Sequence, residues 1–177
     1  AQTGKPIILS TGMASLEELE LSVSAARNAG CKELILLKCT SAYPSPPEDI
    51  NLATLADLQD RFECVVGLSD HTTGIEISLA AIALGASVVE KHFVMNRQDG
   101  GVDAEFSLEP KELELLVLQG KRVAQALGQV NYGNTKSDQQ AKYYRRSIYA
   151  SRDIEKGESL SSNNTKVIRP GLGLAPK

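Results

Sequence analysis

The chemistry that this sequence could perform is concentrated at its two histidines, each of which follows a short apolar run. His71 ends the run Val-Val-Gly-Leu-Ser-Asp-His, and His92 stands in the run Val-Val-Glu-Lys-His-Phe. Imidazole is the commonest side-chain metal ligand, and the carboxylates of Asp70 and Glu90 stand beside the two rings in the sequence. The pattern favours a divalent-metal site over the alternative that each histidine only closes a strand with a hydrogen bond.

Both histidine segments have the character of buried parallel strands. They are bounded by glycine and small residues, and a helical pattern from Ile75 to Leu84 separates them, as in a βαβ unit. The carboxyl ends of parallel strands face the ligand in α/β folds. We therefore expect His71 and His92 to meet at one edge of a sheet.

The composition is that of an ordinary globular protein. The chain has 177 residues, of which 42% are hydrophobic and 23% charged, and the net charge of -3 with scattered Lys and Arg argues against nucleic acid as a partner. No apolar run is long enough to span a bilayer, and the first residues carry no signal-peptide pattern. Cys31, Cys39 and Cys64 lack the paired spacing of a zinc site, so we expect buried thiols in a reducing cytoplasm.

Two further strands and three further helices are predicted from local signals. Strands are expected at 6–10 and 34–39, and Ser15 with Glu18 forms a capping box that starts a helix. The other helices are predicted around Ile50, Leu52, Leu55 and Leu58, and from Pro110 to Gly128. Four strand-then-helix units with the spacing of βαβ crossovers indicate a parallel α/β architecture.

Four parallel strands leave two open sheet edges, which a flavodoxin-like sheet tolerates, whereas a closed (β/α)₈ TIM barrel needs eight strands. The sequence starts on a strand without a Met, which we interpret as a missing N-terminal half. Residues 1–128 are then predicted to form the second, C-terminal half of a TIM barrel. The polar segment 129–145 is predicted to be a linker, and 146–177 the start of a small second domain that stops too early to be complete.

Five stretches of the chain resemble, in order, motifs of the sialic acid synthase family. They are Lys-Pro-Ile-Ile-Leu-Ser-Thr-Gly-Met (5–13), Leu-Lys-Cys-Thr-Ser-Ala-Tyr-Pro (37–44), Gly-Leu-Ser-Asp-His-Thr (67–72), Glu-Lys-His-Phe (90–93) and Ile-Arg-Pro-Gly (168–171). The resemblance implies a (β/α)₈ barrel that this chain enters at its fifth strand, followed by a small antifreeze-like (SAF) domain. It also implies condensation of phosphoenolpyruvate with an amino sugar, and a domain-swapped homodimer in which the small domain reaches the partner's active site.

Three features resemble the pseudaminic acid synthase branch of that family: the stretch 99–110, Ser41, and the segment 168–177. The resemblance implies a 6-deoxy-diacetamido hexose of the altrose type as the sugar, with N-acetylneuraminate or legionaminate synthesis as the alternative. From the residues alone, a metal-dependent barrel hydrolase or isomerase and a non-catalytic sugar-binding protein stay open.

The resemblance also assigns roles to individual residues. His71 and His92 match the family's catalytic metal ligands, for Mn²⁺ or Mg²⁺. Glu90 resembles the family's site glutamate, which would orient or deprotonate a water molecule, or would instead support a ligand histidine. Ser41 and Tyr43 match positions that line the substrate pocket.

Further contacts with the sugar are implied by the same resemblance. Arg169 corresponds to an arginine that the small domain supplies across the dimer, where a guanidinium could hold an N-acyl carbonyl by paired hydrogen bonds. Asp103 and Glu105 are expected near the sugar.

The neighbours of the two histidines are expected to play supporting parts. Asp70 is expected to orient His71, or else to contact the metal or a water molecule. Lys38 and Lys91 are expected to point away from the site, because successive side chains of a strand alternate between the two faces of the sheet.

Overall fold

The structure is a computed structural model that describes residues 1–133 and 135–176. Asn134, in the predicted linker, and Lys177, at the end of the predicted small domain, lie outside the described residues. The chain divides into two compact units, Ala1–Gly128 and Gln129–Lys177. Within the described part of the chain, none of the helices combines the length and apolarity needed to cross a membrane.

The first unit is built on one parallel sheet with the strand order β1-β2-β3-β4. Its strands are β1 (Ile7–Ser10), β2 (Leu34–Cys39), β3 (Val65–Asp70) and β4 (Val88–Lys91). Its helices are α1 (Leu16–Asn28), α2 (Thr54–Phe62), α3 (Glu76–Ala83) and α4 (Pro110–Leu127). The predicted parallel α/β architecture is confirmed, and the sheet curls as half of a barrel.

Helices α1 and α4 begin where their capping signals stand. The Ser15 side chain accepts a hydrogen bond from the Glu18 amide, and the Glu18 carboxylate accepts one from the Ser15 amide at 2.7 Å. Pro110 occupies the first turn of α4, and Gly128, with a positive φ of 49°, follows its last residue. Both helices are therefore bounded by local chemistry, as predicted.

Helix α2 is shorter than its apolar pattern predicts. Ile50 is only 2% exposed, but it follows a 3₁₀ turn at Pro47–Asp49 and stands before the helix. Asn51 has a φ of 49°, a left-handed conformation that an α-helix cannot include. Burial of apolar residues at helical spacing therefore occurs here without a continuous helix.

The two faces of the sheet differ in character. One face packs against the helices and contributes Leu36, Val66 and Leu68 to the main core. The opposite face carries Gly67 and Ser69. Because side chains alternate along a strand, His71, which directly follows β3, belongs to this face as well. A Cβ atom on Gly67 would lie 2.4 Å from the Val88 carbonyl oxygen, so only glycine fits between β3 and β4.

The second unit contains helix α5 (Lys136–Ala141), a 3₁₀ turn at Lys142–Tyr144, and the antiparallel strands β5 (Ser147–Ala150) and β6 (Thr165–Ile168). Helix α5 lies inside the segment that its polar composition predicts to be a linker. It is started by a capping box of Thr135 and Asp138. Local capping rather than an apolar face therefore accounts for this short helix.

The turn between β5 and β6 is organised by a buried amide. Asn164 is 1% exposed, and its Oδ1 accepts a hydrogen bond of 2.7 Å from the Ser161 amide. Its Nδ2 donates to Glu158 and to the Ser159 carbonyl. The side chain thus replaces backbone pairing where the chain reverses.

Candidate functional site

The two histidines lie together at the carboxyl edge of the sheet. His71 directly follows β3 and His92 directly follows β4, and the centroids of their rings are 5.2 Å apart. Adjacent parallel strands in register bring the residues that follow them to the same edge. The expected meeting of the two imidazoles is therefore observed.

His71 is held by the loop that follows β2. Its Nδ1 lies 2.9 Å from the Thr40 carbonyl oxygen, and its own carbonyl accepts a hydrogen bond of 2.9 Å from the Ser45 amide. The single proton of the buried Ser45 hydroxyl is shared between the Thr40 and Ala42 carbonyls, which closes the loop. A carbonyl oxygen can only accept, so Nδ1 of His71 is the donor in this contact and Nε2 is the ring nitrogen left for a ligand.

His92 lies in a more open environment, with 32% of its side chain exposed. Its Nδ1 is 3.5 Å from Oδ2 of Asp103, and its carbonyl accepts a hydrogen bond of 2.9 Å from Leu108. Nδ1 of His92 thus faces the Asp103 carboxylate, and Nε2 is the ring nitrogen left for a ligand. Asp103 therefore lies beside a histidine, and Glu105 from the same loop is exposed.

Two aromatic rings complete the surroundings of the histidines. The Tyr43 ring is 4.2 Å from the His71 ring and 6.0 Å from the His92 ring, and Tyr43 is 55% exposed. Phe106 lies 5.0 Å from the His92 ring and is buried. Phe106 is not among the site residues predicted from the sequence, because it stands in an irregular segment where neither strand nor helix periodicity applies. Its only signal was an aromatic residue inside a polar stretch.

Glu90 shares a face with His92 at a spacing of two residues on β4. Ser69 stands opposite Glu90 in the β3–β4 register, and its hydroxyl donates a hydrogen bond of 2.7 Å to Oε1 of Glu90. Ser69 is buried, whereas Glu90 is exposed within this unit. Ser69 is likewise not among the site residues predicted from the sequence, because only strand register identifies its partner.

The Asp70 carboxylate does not bind the His71 ring, whose Nδ1 faces the Thr40 carbonyl instead, so the expectation of a direct contact of Asp70 with this ring or with the metal is wrong. Asp70 lies on the helix-facing side of the sheet, where its carboxylate pairs with Lys91 at 3.0 Å. It also accepts hydrogen bonds from Thr72 and Ser78. Neighbouring residues of a strand point to opposite faces, which separates Asp70 from the histidine side.

The two lysines lie away from the rings. Lys91 is buried in the ion pair with Asp70, as strand alternation predicts. The Lys38 ammonium donates to the Cys39 carbonyl and to the Thr40 hydroxyl, and burial lowers the pKa of Lys38. Lys38 therefore supports the base of the loop that holds His71.

Ser41 and Arg169, the remaining predicted binding residues, lie in different units. Ser41 is exposed in the loop after β2, and a Cβ atom on Gly12 would come within 2.5 Å of its hydroxyl oxygen. Gly12 is thus required for the close approach of the β1 loop to Ser41. Arg169 is exposed in the second unit, directly after β6.

The donor set at this edge consists of two imidazoles. Among residues 1–133 and 135–176, no group of three or more His, Cys, Asp or Glu side chains is arranged to hold a metal ion. Two imidazoles with available Nε2 atoms nevertheless fit a divalent cation whose other ligands are water and substrate. Because Asp70 faces the helices, it does not belong to this set.

The first unit is a half-barrel with helices on one face. Its polar and aromatic side chains lie at the carboxyl edge of the strands, as in a TIM-barrel-type α/β protein. The model of the NeuB family matches residues 1–132, and the chain belongs to this family. The resemblance to sialic acid synthases found in the sequence is thereby confirmed.

Individual relatives show the same relationship. The chain is 44% identical to the N,N'-diacetyllegionaminic acid synthase of Campylobacter jejuni, with 99% of this chain and 53% of that protein covered. It is 42% identical to the pseudaminic acid synthase of Helicobacter pylori, with 100% and 52% covered. A crystal structure of the N-acetylneuraminic acid synthetase of Leptospira borgpetersenii has a TM-score of 0.73 and 40% identity, covering 78% of this chain and 48% of that one. The chain spans about half the length of the curated relatives it matches.

Proposed function

We propose that this chain supplies half of the barrel of a pseudaminic acid synthase. The reaction joins phosphoenolpyruvate to a 6-deoxy-diacetamido hexose of the altrose type and yields a nine-carbon nonulosonic acid and phosphate. The observation that carries the proposal is the pair of imidazoles 5.2 Å apart, each with its Nδ1 turned toward an acceptor, in a chain of the NeuB family. The identity to the Helicobacter pylori pseudaminic acid synthase supports this class of reaction. The stretch 99–110, Ser41 and the segment 168–177, which resemble the pseudaminic acid synthase branch, support the choice of sugar.

The chemistry makes two demands on the site. C3 of phosphoenolpyruvate forms a bond to the aldehyde carbon of the sugar, and the aldehyde oxygen takes up a proton and becomes a hydroxyl group. Water adds to C2, the bond from C2 to the phosphate oxygen breaks, and phosphate leaves. The sugar carbonyl must therefore be polarised, and one water molecule must be placed and deprotonated.

His71 and His92 are the residues that would hold a divalent cation, Mn²⁺ or Mg²⁺. When bound, such a cation supplies Lewis-acid polarisation of the sugar carbonyl. The Thr40 carbonyl accepts a hydrogen bond from Nδ1 of His71, and the Asp103 carboxylate lies 3.5 Å from Nδ1 of His92, so Nε2 is the ring nitrogen left for the cation in both residues. These contacts support His71 and His92 as the ligands of the proposed cation.

Glu90 is the group that accepts a proton from the attacking water in this proposal. The hydrogen bond from Ser69 holds one oxygen of the Glu90 carboxylate, and the spacing of two residues keeps Glu90 on the same face as His92. A carboxylate in this position can orient a water molecule and remove its proton.

The remaining contacts of the site would bind the substrates. The hydroxyl groups of Ser41 and Tyr43 stand on the loop that holds His71 and would bind substrate oxygens. Phe106 supplies an apolar wall beside His92. Asp103 would contact the sugar, and Arg169 would hold its N-acyl carbonyl through two N–H groups.

The second unit, Gln129–Lys177, is proposed to be the start of an SAF domain that reaches the barrel of a partner subunit in a domain-swapped homodimer. Its separate compact organisation and its antiparallel strands support this part of the proposal. The three free cysteines support a reducing, cytoplasmic location.

A legionaminic acid synthase is the second candidate, because the Campylobacter jejuni enzyme with this name is 44% identical to the chain. The two candidates differ in the sugar and share the chemistry. Phosphate release by the complete protein with phosphoenolpyruvate and Mn²⁺ separates them when the altrose-type sugar, the legionaminate precursor and N-acetylmannosamine are offered in parallel. We expect release with the altrose-type sugar, and release with another sugar alone would move the protein to that branch. Silence with all three sugars would contradict the proposed reaction.

A further inference from the structure

We propose that the buried ion pair of Asp70 and Lys91 is a clamp that sets the distance between the two histidines. Asp70 and Lys91 stand opposite each other in the β3–β4 register, and each directly precedes one of the histidines. The Lys91 ammonium lies 3.0 Å from Oδ2 of Asp70. The inference rests on the proposed function, in which His71 and His92 hold the cation. It adds two positioning residues on the other side of the sheet.

The clamp holds the backbone on both sides of His71. Besides pairing with Asp70, Lys91 donates a hydrogen bond of 2.6 Å to the Thr72 carbonyl oxygen. The amide and hydroxyl of Thr72 donate to Oδ1 of Asp70 at 2.9 Å and 2.7 Å. The residues before and after His71 are thus bound to the residue before His92. Neither histidine can shift along its strand without breaking one of these contacts.

The burial of the clamp indicates a geometric role. The side chains of Lys91 and Asp70 are 3% and 0% exposed, and Ser78 on α3 donates a further hydrogen bond to Asp70. A buried ion pair adds little net stability over an apolar pair of similar volume, because desolvation opposes the attraction. Charge-assisted hydrogen bonds are, however, short and directional. The clamp therefore fixes the ends of β3 and β4 more narrowly than apolar packing would.

Binding of Mn²⁺ alone to the complete protein, measured by electron paramagnetic resonance of the free ion, tests the clamp without any turnover. Lys91→Met removes both the ion pair and the tie to Thr72, and we expect the Mn²⁺ affinity to fall by about tenfold or more. Leu55→Ala is the control, since Leu55 is fully buried in the helix-facing core. It should lower the melting temperature and leave the Mn²⁺ affinity unchanged.

Lys91→Met alone leaves the Asp70 charge buried without its partner, which destabilises the protein. A double variant separates this loss of stability from the effect of the clamp on the positions of the histidines. Asp70→Asn with Lys91→Met removes both charges and should regain stability. It should still bind Mn²⁺ weakly, since the tie to Thr72 is gone. Equal effects of Lys91→Met and Leu55→Ala on Mn²⁺ affinity would overturn the clamp, as would wild-type affinity in the double variant.

The same measurements distinguish the clamp from the proposed function. If the wild-type protein binds Mn²⁺ but releases no phosphate with any nonulosonate precursor, while the clamp variants still bind the ion weakly, the proposed reaction fails and the clamp stands. A wild-type protein that binds no Mn²⁺ would overturn both.

Discussion

The hydroxyl group of Ser69 on β3 donates a hydrogen bond of 2.7 Å to the carboxylate of Glu90 on β4. The two residues are partners in the strand register, and both lie on the face of the sheet that ends in the histidines. The contact restricts the orientation of the carboxylate before any substrate arrives. Ser69 is therefore expected to act on the reaction through Glu90.

Ser69→Ala should lower kcat by about tenfold, because the hydrogen bond that orients the Glu90 carboxylate is worth about 1.5 kcal/mol. The KM for phosphoenolpyruvate should change little. Steady-state phosphate release measures both quantities. Ser87→Ala, an exposed serine that precedes β4, is the matched control and should keep the wild-type kcat. A wild-type kcat in Ser69→Ala would show that Glu90 needs no support from this hydroxyl.

His92→Ala should abolish metal-stimulated condensation without unfolding the protein, because about a third of the His92 side chain is exposed and little core packing is lost. Phosphate release with and without Mn²⁺, together with thermal unfolding, measures the two effects. His71→Ala should also abolish the stimulation but should lower the melting temperature more, since His71 is buried against the Thr40 loop. Normal activity of His92→Ala would exclude the metal assignment.

Co-expression of His92→Ala with Arg169→Ala should restore part of the activity that each variant lacks alone. In a domain-swapped dimer, one of the two mixed sites combines an intact barrel with an intact small domain from the other subunit. Differently tagged subunits allow the mixed dimer to be purified and its phosphate release to be measured. A mixed dimer as inactive as the single variants would contradict the swap.

The Glu112 carboxylate binds Arg97 and the Glu109 amide, which stand on either side of the loop that carries Asp103. Acidification should therefore loosen this loop. The Glu109 amide first, and then Arg97, hold the pKa of Glu112 below its usual value. A lowered folded-state pKa means that the stabilisation is present above the unfolded pKa, about 4.3, and is lost as the pH falls through the folded value.

The melting temperature of the complete protein between pH 6 and about pH 3 should therefore depend less on pH in Glu112→Gln than in the wild type. Glu114→Gln is the control, since Glu114 is exposed on the same helix. If the melting temperature of Glu112→Gln depends on pH as much as that of the wild type, Glu112 does not hold the loop in place.

Much of the fold could be predicted from the sequence, because its signals act within a few residues. The capping box of Ser15 and Glu18 and the position of Pro110 bound their helices in the structure as they do in the sequence. The apolar runs before His71 and His92 predict neighbouring parallel strands, and such strands place the residues after them at one edge of the sheet. The pair of histidines was therefore accessible before the structure.

The partners of the groups around that pair are determined by tertiary packing alone. Asp70 stands next to His71 in the sequence but binds Lys91 on the opposite face of the sheet. Ser69 and Phe106 reach the site through strand register and a loop path that no local pattern encodes. The physical reason is range: caps and alternation depend on neighbours along the chain, whereas a side chain's partner depends on which segments the packed sheet brings together.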